Sequence, residues 1–253
     1  MRERDGNVPA RQSDGPCVLL CAVSVGEVNA TRALVDQLRA TEDAPSVVIA
    51  ATTQTGRARA AELYGTDPAA PVYAAAYPVD LKRAVHAFYN AVRPSVVVLM
   101  ELEVWPNFVA EGKCRGMPVL VANGRITEKS FRAYRKARLL LRSSFAALDR
   151  VLVQEQVYAD RFRQLGVSAD RIEVAGSMKS TPRAAMSTKS ASRRSRVTSD
   201  LPARRGRSWF AVLPGRARRR CCSTFTRRCW QSTTVRASSW CRASRSGLTR
   251  SRN

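Results

Sequence analysis

The chain has 253 residues, of which 45% are hydrophobic, and a formal net charge of +23. This length and apolar content suffice for one large domain or two modest ones, which excludes a chain that is disordered throughout. The charge is uneven: residues 180–253 contain eighteen arginines and one lysine against a single acid, a net charge of +18, which leaves +5 for residues 1–179. The composition therefore divides the chain after residue 179.

Cysteine and histidine usage argues against a metal site. No two of the seven cysteines have the C-x-x-C spacing, and His86 is the only histidine, so a zinc ion would lack its usual ligands. We interpret Cys17, Cys21 and Cys114 as reduced core residues of a cytosolic protein. No stretch reaches the roughly 18 apolar residues of a membrane span, and the polar extension at residues 1–15 lacks a signal-peptide core. We therefore expect the chain to have no anchor of its own.

The apolar run at residues 18–23 predicts the first buried strand. It stops at the segment S-V-G-E, residues 24–27, and a helical pattern continues to Leu38. A buried strand, a tight turn and a helix explain this pattern. The same unit recurs at residues 47–64 and again at residues 72–92.

Four more strands are predicted in this part of the chain, at residues 96–100, 119–122, 151–153 and 172–174. The longest helical pattern covers residues 127–148, and its broad apolar stripe consists of Phe131, Tyr134, Leu139, Leu140 and Phe145. Short valine-rich strands that alternate with helices indicate a parallel, doubly wound α/β sheet of the Rossmann type. Right-handed crossovers place every strand-to-helix turn at one edge, where such folds bind ligands.

Charged side chains collect at this predicted edge. Glu27 lies in the first turn of its helix, where the macrodipole favours an ionised carboxylate, and such a group suits a general base that removes a proton from a hydroxyl. Glu101 and Glu103 flank one apolar residue, so in extended backbone both would face one side and repel each other. Lys179 follows a strand and a glycine, as phosphate-holding lysines often do.

Each of these residues also has a purely structural explanation. Glu27 fits a glutamate placed at a helix start for stability alone, and one of the two acids after Met100 fits a simple surface acid. The dipeptide at residues 105–106 fits a helix opening with proline near its first position. Lys179 fits a solvated lysine. The single positions therefore leave the function open.

Five segments together resemble one family in order and spacing. They are S-V-G-E at 24–27, T-x-T-G at 53–56, M-E-L-E-V-W-P-N at 100–107, A-N-G-R at 122–125 and G-S-M-K at 176–179. The first and the third are the specific ones. In this combination they resemble the N-terminal half of the bacterial 3-deoxy-D-manno-octulosonic acid (Kdo) transferases, over residues 16–179.

The resemblance implies the acceptor-binding, Rossmann-like N-terminal lobe of a two-lobed, inverting glycosyltransferase of the GT-B type. Such an enzyme transfers Kdo from CMP-Kdo to the lipid A precursor lipid IVA in lipopolysaccharide biosynthesis, at the cytoplasmic face of the inner membrane. It implies that Glu27 is the base that deprotonates the acceptor hydroxyl and that Glu101 and Lys179 assist the transition state. The candidates for acceptor contacts are Ser24, Gly26, Thr53, Thr55, Gly56, Asn123 and Arg125. Apart from the donor CMP-Kdo, no cofactor or metal is expected, and this form would attach to the membrane peripherally.

The resemblance stops after Lys179. Family members continue with F-D and a second lobe that holds the nucleotide sugar, whereas residues 180–253 contain no isoleucine, tyrosine, glutamate or histidine. An offset reading of codons allowed for residues 237–251 can give L-V-V-V-P-R-L-P-E-R-F-D-E-V, which resembles the donor-site segment of the family. We interpret residues 180–253 as a disordered frameshift product of the second lobe. We therefore expect this chain not to transfer Kdo.

Two other functions remain as alternatives. A nucleic-acid-binding protein could use the basic residues 180–253 to contact phosphate, although we expect no specific nucleic acid partner. A Rossmann-like domain could instead bind a small molecule of unknown class.

Overall fold

The computed structural model describes residues 2–178, with side chains from Arg4 onward. Seven strands form one sheet: β1 (Cys17–Ala22), β2 (Ser46–Ala51), β3 (Val72–Ala76), β4 (Val96–Met100), β5 (Val119–Gly124), β6 (Arg150–Val153) and β7 (Ile172–Val174). Every pairing between neighbouring strands is parallel. The predicted parallel, Rossmann-like α/β sheet is confirmed for this part of the chain. The expected disorder of residues 180–253 concerns residues outside the described ones.

The connections between strands carry seven helices in the described residues: α1 (Val25–Arg39), α2 (Gln54–Tyr64), α3 (Lys82–Val92), α4 (Pro106–Cys114), α5 (Glu128–Lys136), α6 (Arg138–Ala146) and α7 (Gln156–Leu165). Side-chain oxygens of Ser24, Thr53 and Thr127 cap α1, α2 and α5. These caps satisfy backbone N–H groups that have no partner within a helix. The long helical pattern at residues 127–148 is in fact two helices that meet at Ala137.

The apolar stripe predicted across these two helices is only partly correct. Phe131 and Phe145 are buried, but Leu139 is 98% exposed and Leu140 is 76% exposed. The break at Ala137 changes the rotation of the second helix relative to the first, so a stripe drawn on one continuous helix loses its register. One of the three core cysteine predictions was also wrong. Cys17 and Cys21 are buried, as predicted, whereas Cys114 is exposed.

The core is rich in aromatic rings packed between the sheet and the helices. The ring centroid of Phe108 on α4 lies 4.6 Å from that of Tyr77 and 4.9 Å from that of Tyr89. Between α6 and α7, the ring centroid of Phe145 lies 6.1 Å from that of Phe162. Aromatic pairs at these separations add to the free energy gained by burying apolar surface. Helix α4 is therefore anchored firmly against the sheet.

The N-terminal segment packs along α3 before the chain enters β1. The carbonyl of Arg4 accepts a hydrogen bond from Val79 N at 2.8 Å, near the carboxyl end of β3. Arg11 is only 4% exposed, and its Nε donates to the carbonyl of Val92, the last residue of α3, at 2.9 Å. The segment thus runs from the carboxyl edge of the sheet to the opposite edge.

The strand order creates a switch point in the sheet. The order is β3-β2-β1-β4-β5-β6-β7, so the chain progresses outward from β1 in one direction and then from β4 in the other. The turns that follow β1 and β4 consequently diverge and leave a crevice at the carboxyl ends of these two strands. The segments at residues 24–27 and 101–107 are the ones that border this crevice.

Candidate functional site

Glu27 is fixed at the start of α1, directly after β1. Its Oε1 accepts a hydrogen bond from the hydroxyl of Ser24 at 3.1 Å, and its Oε2 accepts one from Val23 N at 2.9 Å. The residue is 9% exposed. Burial, the largest cause, and the negative charge of Glu101 raise its pKa, although the hydrogen bonds act in the opposite direction. The carboxyl group is therefore held in one orientation and made more basic than an ordinary glutamate.

The T-x-T-G turn supports the turn that carries Glu27. The hydroxyl of Thr53 donates to the carbonyl of Val23 at 2.6 Å and accepts from Gly56 N at 3.1 Å. A Cβ at Gly56 would lie 2.7 Å from the same carbonyl, so only glycine allows this approach. Because Val23 N is bonded to Glu27, the peptide of Val23 links the two turns. Thr53 and Gly56 thus act on the base through the backbone, and Thr55 lies exposed beside them.

The prediction of extended backbone for the acids after β4 was wrong at Glu101. Glu101 has a φ of 54°, which is the left-handed region that non-glycine residues rarely occupy. This conformation turns the chain sharply after Met100 and brings both acids beside Glu27. The negative charge of Glu101 raises the pKa of both Glu27 and Glu103, and the charge of Glu27 raises that of Glu103 further.

Glu103 is the most strongly perturbed carboxyl group in this cluster, although the sequence analysis assigned it no role in catalysis. Burial, followed by the charges of Glu27 and Glu101, raises its pKa to about 7, although a hydrogen bond from Trp105 lowers it. That bond joins Trp105 Nε1 to Glu103 Oε2 at 2.7 Å. Tyr77 and Tyr134 also interact electrostatically with Glu103. Side chains from several elements therefore converge on this one carboxylate.

Asp80 positions the start of α4, a role that sequence reasoning missed. Its Oδ1 accepts from Phe108 N at 2.9 Å and its Oδ2 from Asn107 N at 3.1 Å. The side chain of Asn107 donates in return to the carbonyl of Asp80 at 2.7 Å. The N-cap residue Trp105 makes no side-chain capping bond, and the carboxylate of Asp80, from the connection between β3 and α3, caps α4 instead. The available signal in the sequence was that Asp80 is an acid just before the predicted helix that corresponds to α3.

Asn123 connects β5 with the chain that follows β7. Its Oδ1 accepts a hydrogen bond from Met178 N at 3.1 Å, and its backbone has a φ of 56°. The side chain is 1% exposed, and its Nδ2 has no hydrogen-bond partner among the described residues. Asn123 thus holds the segment that leads to Lys179, whereas Lys179 itself lies outside the described residues. Arg125, the last of the predicted acceptor contacts, is exposed.

The predicted site residues in the described part gather along the carboxyl edge. Ser24, Gly26 and Glu27 follow β1, and Glu101 follows β4, directly beside it in the sheet. Across residues 2–178, no group of three or more His, Cys, Asp or Glu side chains is arranged to hold a metal ion. In the same residues, no helix combines the length and apolar character needed to cross a bilayer.

Solved structures with a similar fold include UDP-N-acetylglucosamine 2-epimerases. The enzyme of Neisseria meningitidis, bound to UDP-GlcNAc, gives a TM-score of 0.46 at 10% identity and covers 64% of this chain and 47% of that chain. The enzyme of Rickettsia bellii gives a TM-score of 0.44 at 10% identity and covers 65% of this chain and 46% of that chain. Both similarities are distant.

Curated relatives are 3-deoxy-D-manno-octulosonic acid transferases. The protein of Bordetella pertussis is 35% identical over 159 residues, which is 62% of this chain and 36% of the relative. That of Chlamydia muridarum is 31% identical over 173 residues, 68% of this chain and 39% of the relative. That of Haemophilus influenzae is 29% identical over 162 residues, 64% of this chain and 37% of the relative. The chain thus spans less than half the length of these relatives.

The family described as 3-Deoxy-D-manno-octulosonic-acid transferase (kdotransferase) matches residues 1–181. This range includes the five segments on which the resemblance rests, and it confirms that resemblance. The chain belongs to the 3-deoxy-D-manno-octulosonic-acid transferase family.

Proposed function

We propose that residues 16–179 form the acceptor-binding lobe of a GT-B glycosyltransferase that transfers Kdo from CMP-Kdo to lipid IVA. The observation that carries this proposal is the environment of Glu27. A carboxylate fixed by two hydrogen bonds, with a raised pKa, lies at the switch point of the sheet. A raised pKa brings a carboxylate closer to the working pH, where general-base catalysis is most efficient.

In the proposed reaction, Glu27 takes the proton of the acceptor hydroxyl as its oxygen attacks the anomeric carbon of Kdo. The new glycosidic bond forms while the bond between that carbon and the phosphate oxygen of CMP breaks, and CMP leaves as an anion. Attack on the face opposite the leaving group inverts the configuration. Lys179 supplies positive charge near the departing phosphate, and Glu101 stabilises positive charge that develops on the sugar.

The partners of this lobe follow from the same proposal. The acceptor is a phosphorylated glucosamine disaccharide carrying acyl chains, so the lobe works at a lipid surface, which we place at the cytoplasmic face of the inner membrane. Ser24 and Gly26 are exposed beside Glu27 in the same turn, and Thr55 is exposed in the adjacent T-x-T-G turn. These three residues are the candidates for direct acceptor contacts. Thr53 and Gly56 support the loop of the base instead.

The test is a pair of substitutions in a protein whose second lobe is restored after residue 179. Glu27→Gln keeps the shape and most hydrogen-bonding capacity but removes the base, so kcat should fall by at least about a hundredfold. The matched control Glu62→Gln changes an exposed glutamate on α2, and it should leave kcat unchanged. Transfer at an undiminished rate by the Glu27 variant would rule out the proposed base.

For residues 180–253 we retain the proposal of a frameshifted second lobe. In that case this exact polypeptide binds the acceptor but does not turn over CMP-Kdo, and measured transfer by it would disprove the inactivity. The alternative of nucleic acid binding rests on the charge of +18 in the same residues. No comparison supports it.

A further inference from the structure

Trp105 is an exposed aromatic residue at the edge where the candidate site lies. It is 41% exposed, although large aromatic side chains are usually well buried. It directly precedes α4, which is held by the aromatic core and by Asp80. An exposed tryptophan on a rigid element is a frequent feature of binding surfaces.

The indole of Trp105 is also fixed in orientation. Its Nε1 donates to Glu103 Oε2 at 2.7 Å, which is short for a hydrogen bond from nitrogen and typical of a charged acceptor. The bond satisfies the only polar atom of the ring at its edge. The faces of the ring are apolar, so the side chain offers a flat surface with one fixed tilt.

Two buried polar groups at the carboxyl edge of the sheet lack hydrogen-bond partners in the described chain. The hydroxyl of Tyr77 has no hydrogen-bond partner among the described residues, and it interacts electrostatically with Glu103. The Nδ2 of Asn123 is likewise unpartnered within residues 2–178. Because buried polar groups are normally hydrogen-bonded, two such groups at one edge indicate that water or ligand atoms complete the site.

We propose that Trp105, oriented by Glu103, is the platform on which a glucosamine ring of the acceptor stacks. The C–H groups on one face of a hexopyranose ring are apolar and fit the face of an indole, whereas its hydroxyls need acceptors at the rim. The carboxylate of Glu103 accepts several hydrogen bonds and retains capacity beyond the one from the indole. The platform therefore explains an exposed ring and an adjacent carboxylate together.

This inference rests on the proposed function, since it names a subsite for the proposed acceptor. It assigns Trp105 and Glu103 roles that are distinct from that of Glu27. Trp105 touches the sugar, and Glu103 acts mainly by orienting Trp105. Neither takes the proton from the acceptor hydroxyl.

The experiment measures binding by the full chain, so it does not depend on turnover. The probe is the deacylated, phosphorylated glucosamine disaccharide of lipid IVA, titrated by calorimetry. Trp105→Leu keeps an apolar side chain but removes the aromatic face, and it should weaken binding about tenfold, whereas Trp105→Phe should weaken it less. The control Leu139→Ala removes a leucine that is 98% exposed on α6, and it should bind like the unmodified chain.

A second readout follows the ring directly. The chain is labelled with fluorotryptophan, and the fluorine resonance of Trp105 is assigned by its absence in Trp105→Phe. This resonance should shift when the disaccharide is added. In Glu103→Gln the shift should remain, because an amide oxygen still accepts the indole bond. In Glu103→Ala it should shrink, together with a severalfold loss of affinity.

The outcomes separate the two proposals. If the unmodified chain and Trp105→Leu bind the disaccharide equally, and the fluorine resonance does not shift, the platform alone is overturned. Failure of the unmodified chain to bind the disaccharide overturns both the platform and the proposed acceptor lobe.

Discussion

Glu103 illustrates how one residue with a strongly raised pKa lowers the stability of the folded protein. Its pKa is raised from 4.5 to about 7 in the folded protein, so the folded state binds a proton more tightly than the unfolded state does. Stability must therefore fall as the pH rises between these two values, and the full cost is present above about pH 7. The titratable groups that interact with it electrostatically are Glu27, Glu101, Tyr77, Tyr134 and Cys21.

We expect Glu103→Gln to remove this cost. The free energy of unfolding should rise by about 3 kcal/mol near pH 8 and change little near pH 4.5, since the wild-type carboxyl is then largely protonated in the folded protein. Urea unfolding at the two pH values measures the difference. An equal gain at both values would contradict the assigned pKa.

Gly56 gives a second prediction at the scale of one residue. A Cβ there would lie 2.7 Å from the carbonyl of Val23 and 2.9 Å from Thr53 Oγ1, so Gly56→Ala should destabilise the protein by about 2 kcal/mol. At Gly26 the nearest atom to an added Cβ is 3.8 Å away. Gly26→Ala should therefore leave the thermal midpoint nearly unchanged. If both variants melt alike, the close approach of the two turns is not present in solution.

At the scale of elements, the N-terminal segment is a structural part of the lobe. Arg11 donates to the carbonyls of Val92 and Arg93 at the end of α3, at 2.9 Å and 3.3 Å, and to Ser13 Oγ at 2.7 Å. These bonds satisfy helix carbonyls that lack partners within α3. A polar extension in sequence is thus packed against a helix.

Arg11→Ala should consequently cost about 2 kcal/mol of stability, because it unpairs buried carbonyls and leaves a gap beside α3. The control Arg83→Ala removes an exposed arginine from the same helix, and it should change stability by less than about 0.5 kcal/mol. Denaturant midpoints of the two variants give the comparison. Equal midpoints would show that the segment is not packed in solution.

Local patterns predicted the elements well because each strand is a short apolar run with clear ends. The observed β4 (Val96–Met100) and β7 (Ile172–Val174) match their predicted bounds, and the other strands differ by at most two residues at either end. The same patterns failed where a local break decides the outcome. The αL residue Glu101 and the break at Ala137 are single-residue events without a periodic signal.

At the scale of the whole molecule, strand order was the information that the sequence did not contain. Glu27 and Glu101 meet because β1 and β4 pair directly, and this pairing joins segments far apart in the chain. Crossover geometry predicted that the strand-to-helix turns share one edge of the sheet, but it did not predict which of them are neighbours. The raised pKa of Glu103 and the capping role of Asp80 likewise depend on neighbours brought by tertiary packing.

The break in composition after residue 179 leads to a prediction about the gene. We expect sequencing to show one missing base near codon 180, and restoring it should replace the arginine-rich residues with a second α/β lobe. Resequencing the original DNA is the measurement. An intact reading frame whose product matches basic domains in other proteins would contradict the frameshift.

The path of the N-terminal segment also matters for how this protein is labelled. The carbonyl of Arg4 accepts a hydrogen bond from the backbone N–H of Val79. Asp80, the residue after Val79, caps α4, and Trp105 directly precedes that helix. A dye attached to a cysteine introduced at the exposed Asp5 would therefore lie near the carboxyl edge and could report ligands that enter there.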